Sequence, residues 1–388
     1  MSHNNTIFNQ VLQFIPRHKL EASVRTYETD KYVKYYTTYR HMLTVLYSQA
    51  KGKDSLRDIR TSLFAQQPGW YHVGIKDIRR STVADANERI DPIVFEELFY
   101  DTLKRCKDVT PKHKFAFKNP LYSIDATVID LCLEMYPWAK FRKKKGGIKL
   151  HYQYDHSGSL PVFMVMTDAK HHEMKVMKNE DFPIIADSIT SVDMAYIDYK
   201  WLFSLYNKGA FFVTRKKSNM NYKVTGQLEI TPGTGIISDR KIKLTGFYQQ
   251  KDYPKEMRLI KYRDPETNKV FHFITNNFKL ATSTIAKIYK SRWQIELFFK
   301  WIKQNLKIKS FLGTSKNAVL NQIWIAMIYY LVLTYIKYQT KYKNSMLDLS
   351  RMISEMLFNR LSLIDLLSLN WHNLNKVHLL DEAQLCLF

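Results

Sequence analysis

Tyr289, Arg292, Glu296 and Lys303 carry a phenol, two cations and a carboxylate at a spacing that gathers them on one side of a helix. At about 100° per residue the four fall within an arc of about 60°. The neighbouring positions hold Ile288, Trp293, Ile295, Leu297, Phe298, Trp301 and Ile302, so a helix over 285–306 is apolar around most of its circumference and is expected to be buried. Two chemistries suit one charged stripe on such a helix. The first is a solvated face braced by an Arg292 to Glu296 pair at i,i+4, which contributes only about a few tenths of a kcal/mol. The second is a metal-dependent phosphodiester site, with Glu296 holding a divalent cation and Arg292, Lys303 and Tyr289 binding neighbouring phosphates. A lone carboxylate does not hold two ions, so this chemistry requires acidic partners from elsewhere in the chain.

Asp125 lies inside the apolar run Ile124-Asp125-Ala126-Thr127-Val128-Ile129, where a charge is costly unless it is paired or metal-bound. A buried ion pair or an edge-strand position is the structural alternative, and the functional reading is the stronger of the two. Asp193 follows Ser191-Val192 at the end of a short strand, and Asp198 competes with it; Asp198 suits the N-cap of the next helix, which leaves Asp193 as the ligand. Two aspartates on strands and one glutamate on a helix make a hard, all-oxygen set suited to Mg²⁺ or Mn²⁺.

The elements that must position these side chains are legible in outline. From Phe8 to about Lys107 the pattern is helical. Ser55 with Asp58 and Thr82 with Asp85 make capping-box starts, and Asp91-Pro92 supplies an N-cap and first helical position. The short helices on either side of Pro68-Gly69, with Lys76, Arg79 and Arg80 before the second, suggest either a helix-turn-helix docking on duplex DNA or a solvated basic face. After Pro120 the period changes to two. Strands are expected at 121–129, at 148–155 and 160–167 around Ser157-Gly158, at 189–193, at 210–215, at 258–262 and at 270–276, with helices from His172 and over 198–208. Mixed order of this kind is α/β.

With 388 residues, 59 Lys and Arg against 36 Asp and Glu leave a formal charge of +23, which points to a polyanionic partner. Only 12 Gly and 11 Pro, with 14% aromatic residues, argue for a chain folded almost throughout. Cys106, Cys132 and Cys386 offer neither a disulfide framework nor a zinc knuckle, which suits a reducing compartment, and the first residues lack the pattern of a signal peptide. The longest apolar run, Ile323 to Ile336, falls short of the roughly 20 residues that span a bilayer and reads as a buried core helix, so no membrane is expected.

At these positions the chain resembles bacterial insertion-sequence DDE transposases of the IS-four group. Tyr289, Arg292, Glu296 and Lys303 match that group's Y-x(2)-R-x(3)-E-x(6)-K signature, Ser123 to Thr127 is similar to its first Asp motif, and Ser191 to Lys200 to its second. The resemblance implies an RNase H-like mixed-sheet core over 118–209, a β-rich insertion over 210–279 and a helical part of the core over 280–340 carrying the catalytic Glu. It implies an all-α DNA-binding domain over 1–112, and leaves a helical tail over 341–388 without a role. Asp125, Asp193 and Glu296 would be the catalytic, metal-binding triad for two Mg²⁺ or Mn²⁺ ions. Tyr289, Arg292 and Lys303 would contact the phosphates near the cleaved end, while Arg79 and Arg80 are DNA-contact candidates from the basic helical stretch read above. The partners implied are terminal inverted repeats, target DNA and a second copy of the chain, in the cytoplasm beside the bacterial nucleoid. The second motif departs from the group's Asp-Arg-Gly-Tyr: here Met194-Ala195 follow Asp193, which leaves an inactive DNA-binding relative as the alternative.

Three further features stay open. Phe271 stands where the group can stack a flipped base, or it is a strand aromatic packed in the core. Arg142 to Gly147 is a basic turn that grips DNA backbone or is solvated, and Lys149 and His151 alternate nearby. Asp168, His171, His172 and Glu173 cluster too loosely for a zinc site.

Overall fold

In the computed structural model, which describes residues 5–142, 145–168, 176–178, 182–230 and 234–368, the β-forming runs pair into a single ten-stranded sheet among the described residues. The strands are β1 (Leu121–Leu131), β2 (Lys140–Arg142), β3 (Lys145–Asp155), β4 (Leu160–Asp168), β5 (Ile189–Val192), β6 (Phe211–Arg215), β7 (Tyr222–Gln227), β8 (Ile236–Leu244), β9 (Met257–Arg263) and β10 (Val270–Thr275). Their order is β2-β3-β1-β5-β6-β10-β9-β8-β7, with β4 also on β3. Among these strands β1 with β5 and β5 with β6 run parallel, and the other pairs are antiparallel. The β3–β4 hairpin turns through Gly158 and Ser159 at φ 69° and 60°, a left-handed pair that glycine makes easy at the first position.

The sheet belongs to a compact unit running from Pro111 to Lys309. One of its faces packs Ile242, Leu259 and Ile274 against the helix Tyr199–Asn207, whose Trp201, Leu202 and Leu205 are buried. The opposite face packs Val213, Ile260 and Phe273 under Ile285 and Ile288 of the helix Thr282–Ser291. The next helix, Trp293–Asn305, lies on β1 and seats Phe298 and Phe299 against Tyr152 of β3 at ring distances of 5.3 and 5.6 Å. Each fully buried side chain of this size contributes about 1.5–3 kcal/mol.

The β-rich stretch expected over 210–279 is continuous with this sheet: β6 is a parallel strand, with Phe211 opposite Ile189, β10 pairs with its far edge, and β7 to β9 extend the same ladder.

The second unit comprises residues up to Thr110 together with those from Ser310. Its described elements before Thr110 are helical: Ile7–Leu12, Arg17–Thr26, Thr38–Lys51, Leu56–Phe64, Trp70–Val73, Arg80–Arg89 and Ile93–Val109, with a 3₁₀ turn at Gln67–Gly69. They surround Lys316–Gln339, a helix buried on all sides that packs against Ile93–Val109, Thr38–Lys51, Arg80–Arg89 and Met346–Met356. Two of its polar side chains are anchored to the backbone: Asn321 Nδ2 donates to Ile90 O, and Gln322 Nε2 to Ser310 O, at 2.9 and 2.8 Å. This helix is long and apolar enough to cross a membrane by composition, and 89% of its most apolar window is buried inside the structure.

Two expectations change here. The stretch from Ser310 to residue 340 joins the N-terminal helices and not the sheet-bearing core, because the apolar surface it buries is theirs. Between Leu56–Phe64 and Arg80–Arg89 stand the 3₁₀ turn and the Trp70–Val73 helix, so the two are not joined by the short turn of about three or four residues that a helix-turn-helix has. Ser55 does cap its helix, Oγ accepting from Asp58 N at 3.1 Å, whereas Thr82 lies inside Arg80–Arg89. The tail continues the packing through Met346–Met356, which opens on a Ser345 and Asp348 capping box. Residues 143–144 of the basic turn, His171 to Glu173 of the loose cluster, the start of the helix expected from His172 and the tail beyond 368 lie outside the described residues.

Candidate catalytic site

The strand register sets two aspartates side by side. Ile124 pairs with Val192 across the parallel β1–β5 ladder, so Asp125, within β1, and Asp193, just past the end of β5, are the next residues along each chain segment. β5 ends there while β1 runs on to Leu131, and the gap this opens lies at the carboxyl end of a parallel pair, a usual place for a site in an open sheet. Asp125 shares a sheet face with Tyr152, its partner on β3, and so with the helix Trp293–Asn305. Lys149 and His151 pair with Val128 and Ala126 and therefore point to the other face, away from Asp125.

The helix brings the third carboxylate. The Thr282–Ser291 and Trp293–Asn305 segments meet at Arg292, where the ladder tightens to i+3 bonds, Arg292 N to Tyr289 O at 3.2 Å and Ile295 N to Arg292 O at 3.1 Å. The Arg292 guanidinium reaches all three acids: Nη2 donates to Glu296 Oε1 at 2.8 Å, Nη1 lies 3.5 Å from Asp125 Oδ2, and Nη2 lies 3.8 Å from Asp193 Oδ2. Arg292 is 12% exposed and the acids 22–37%, so this is a half-open cleft. Asp125 Oδ1 also accepts from Ala126 N at 2.8 Å. Asp193 Oδ1 accepts from Ala195 N at 3.2 Å and so caps the 3₁₀ turn Met194–Tyr196. Neither Met194 nor Ala195 has a positive φ, so this turn forms without glycine.

Burial pushes the Asp125 carboxyl up to about 6; the Ala126 N–H and Arg292 pull it down, while Glu296 and Asp193 push it further up. Because the folded value exceeds the unfolded one near 3.9, the folded chain binds the extra proton between about pH 4 and 6, and the stability this contributes is lost as pH rises through about 6. Asp125→Asn, which cannot ionise, should therefore stabilise the metal-free protein at about pH 7.5 by on the order of 1–3 kcal/mol. Melting followed by circular dichroism checks this, with the gain shrinking as pH falls toward about 4.

Tyr289 joins the cluster, its ring 5.0 Å from Phe273 and 5.8 Å from the Arg292 guanidinium. Burial, then Asp193, holds its phenol above the ordinary value, with Arg292 and Arg215 opposing. Lys303 stands apart. It is on the same side of the helix but about two turns, roughly 10 Å, beyond Glu296. Burial and then Lys309 hold its ammonium below the usual range, with Asp130 opposing. Arg79 and Arg80 are exposed residues of the helical unit, and Arg79 lines a groove of about 780 Å³ with Lys34, Tyr35, Arg40, Lys76 and Arg89.

Two features carried no local sequence signal. A cavity of about 280 Å³ beside Arg292 is walled by Tyr262, Phe271, Phe273, Tyr289 and Trp293, residues from two strands and two helical segments. Trp293, 56% exposed, marks it on the surface. The other is the buried Arg258–Asp239 ion pair between β9 and β8.

Three carboxylates with no sulfur or imidazole among them form a hard-cation donor set, and here they converge on one positive charge. Among the described residues no three such groups are placed to hold one ion as they stand; the Arg292 guanidinium lies 2.8–3.8 Å from all three carboxylates.

The geometry defines an acid-rich cleft on a mixed α/β sheet in a strongly basic chain. A family model described as "Transposase DDE domain" matches residues 116–332, and one described as a "Domain of unknown function" matches residues 3–76. The chain is 36% identical to "Putative transposase y4zB" of Sinorhizobium fredii over 65% of its own length and 69% of that protein's. It is 28% identical to "Probable transposase for insertion sequence element IS5377" of Geobacillus stearothermophilus, covering 69% and 70% of the two chains. It is 24% identical to "Putative transposase for insertion sequence element IS4SA" of a Synechocystis species, covering 73% and 79%. The chain belongs to the DDE transposase domain family. It is a DNA transposase, an enzyme of metal-dependent strand cleavage and strand transfer, and the family generally uses divalent metal ions.

Proposed function

We propose that Asp125, Asp193 and Glu296 are the cation ligands of this transposase and that they hold two Mg²⁺ ions, which Mn²⁺ can replace. The convergence of these three acids on Arg292 carries the proposal. When bound, such ions activate a water or a 3′-hydroxyl and stabilise the leaving oxygen of a phosphodiester. The chain itself fixes the donors within β1, just past the end of β5 and on a helix packed against the sheet. Tyr289 and Arg292 bind the phosphate next to the reacting one, and Lys303 binds another further along the strand. The aromatic cavity suits an unstacked base beside the cleaved end, with Phe271 as the platform; such stacking contributes about 1–3 kcal/mol.

The strand order β4-β3-β1-β5-β6, antiparallel then parallel, supports an RNase H-like core, which β7 to β10 extend. The helices before Thr110 support an all-α domain that binds the terminal inverted repeats through Arg79 and Arg80, and a homodimer would pair two ends before joining them to target DNA. The enzyme would work in the cytoplasm, at the nucleoid. The second reading, an inactive DNA-binding relative, is favoured by Met194-Ala195 alone.

Incubating full-length protein with a duplex of the element's terminal repeat separates the two: nicking that requires Mg²⁺ supports the proposal, and binding without nicking supports the relative. Arg79→Ala with Arg80→Ala should weaken duplex binding at every sequence and make the slope of log affinity against log salt shallower by about 0.9 for each phosphate these arginines neutralise. Fluorescence anisotropy across a salt series measures this, and an unchanged slope would remove the pair from the interface.

A further inference from the structure

Arg292 holds its place among the three acids incompletely. Of its approaches to them, only the one to Glu296, at 2.8 Å, is a hydrogen bond; Asp125 at 3.5 Å and Asp193 at 3.8 Å are beyond good hydrogen-bond length. The Nε–H is buried and has no acceptor among the described residues. Arg258, in the same unit, shows what a permanently seated guanidinium does: it grips both oxygens of Asp239 and donates to two backbone carbonyls. Three carboxylates against a single guanidinium also leave the cluster negative overall, and a negative cluster in a half-buried cleft attracts more positive charge than it holds.

From this we propose that Arg292 is a removable counter-ion: in the DNA-free chain it occupies the position between the triad carboxylates, and a DNA phosphate draws it out and opens that position to divalent cations. The proposal rests on the triad reading given above. The side chain has somewhere to go. The cavity of about 280 Å³ is lined by Arg292 itself, and the Tyr289 side chain, which already hydrogen-bonds Arg292 and holds its ring 5.8 Å from the guanidinium, keeps a contact with it on that side. Arginine stays charged at every working pH, so it cannot share the position with a cation by losing a proton. Metal and DNA must then bind cooperatively, each raising the affinity of the other by the same factor.

The test is Mn²⁺ titrated into the full-length chain, with free Mn²⁺ read from its electron paramagnetic resonance signal and heats from calorimetry. Wild type is compared with Arg292→Gln, Arg292→Lys and Asp125→Asn, each first shown by circular dichroism to be folded. DNA-free Arg292→Gln should bind Mn²⁺ on the order of tenfold more tightly than wild type, and Arg292→Lys, which keeps the charge, should stay within about threefold of it. A mixed-sequence duplex should raise the wild-type affinity by on the order of tenfold and that of Arg292→Gln by less than about threefold. If Arg292→Gln binds no tighter than wild type while Asp125→Asn loses Mn²⁺, the counter-ion proposal is overturned and the triad stands. If Asp125→Asn binds as wild type does, the triad reading falls and takes this proposal with it. Should Arg292→Gln not fold, a wild-type affinity indifferent to the duplex is sufficient to overturn the proposal.

Discussion

Glu296→Ala should reduce strand cleavage by about 10³-fold or more while leaving duplex affinity within a few fold of wild type. A loss of that size corresponds to about 4 kcal/mol of transition-state stabilisation, which is what removing one anionic donor from a cation site that polarises a phosphoryl oxygen is expected to cost. Binding is spared because affinity for a duplex comes from cations that meet phosphates along its length, and Glu296 is not one of them. The side chain is 32% exposed and is held by the Arg292 guanidinium at 2.8 Å, so truncation opens no cavity in the core. Glu296→Gln keeps the shape and removes the charge; it should fail as completely, which separates charge from packing. A gel assay of nicked terminal-repeat duplex beside an anisotropy titration reads both quantities, and nicking by Glu296→Ala at the wild-type rate would show the wrong acid had been chosen.

Arg258→Ala should destabilise the sheet-bearing unit by about 3–5 kcal/mol, the usual consequence of leaving a buried charge without its partner. Asp239 is fully buried and Arg258 only 6% exposed. Arg258 Nε donates to both Asp239 oxygens at 3.0 and 2.9 Å, Nη2 to Oδ2 at 2.5 Å, and Nη1 to Asn277 O and Leu280 O at 3.3 and 2.6 Å. The last two bonds fasten the loop that leads into Thr282–Ser291, and Asn277 Oδ1 tightens the same loop by accepting from Lys279 N and Leu280 N, both at 2.9 Å. The damage should therefore reach Tyr289 and Arg292 as well as the strands. Replacing both partners at once, Arg258→Met with Asp239→Leu, removes the stranded charge and should recover most of the loss. Thermal and urea melts of the single and double variants measure this; a single variant within about 1 kcal/mol of wild type would mean the pair is solvated.

Local pattern reached much of this arrangement and stopped where distance in space takes over. Helical period gives a direction around an axis but no height along it, so Tyr289, Arg292, Glu296 and Lys303 share a side while Lys303 lies about two turns from the acids. A charge inside an apolar strand singles out Asp125, yet the register that puts it beside Asp193 depends on the pairing of β1 with β5, two strands far apart along the chain. Arg292 reads from sequence as a phosphate ligand paired to Glu296; its approaches to Asp125 and Asp193 exist only after the sheet forms. Asp239 and Arg258 look like ordinary surface charges on alternating strands, because nothing local tells a buried pair from an exposed one. The run from Ile323 to Ile336 is apolar all round, which announces burial without saying in which unit, and its partners prove to be the N-terminal helices.

The most direct measurement of the central claim is anomalous diffraction from crystals of the full chain grown with Mn²⁺ and a terminal-repeat duplex. Peaks lying between the carboxylates of Asp125, Asp193 and Glu296, at about the 2.0–2.1 Å ligand distances of a small hard cation, are the predicted result. Mn²⁺ bound elsewhere, with those three side chains turned away from it, would contradict the account.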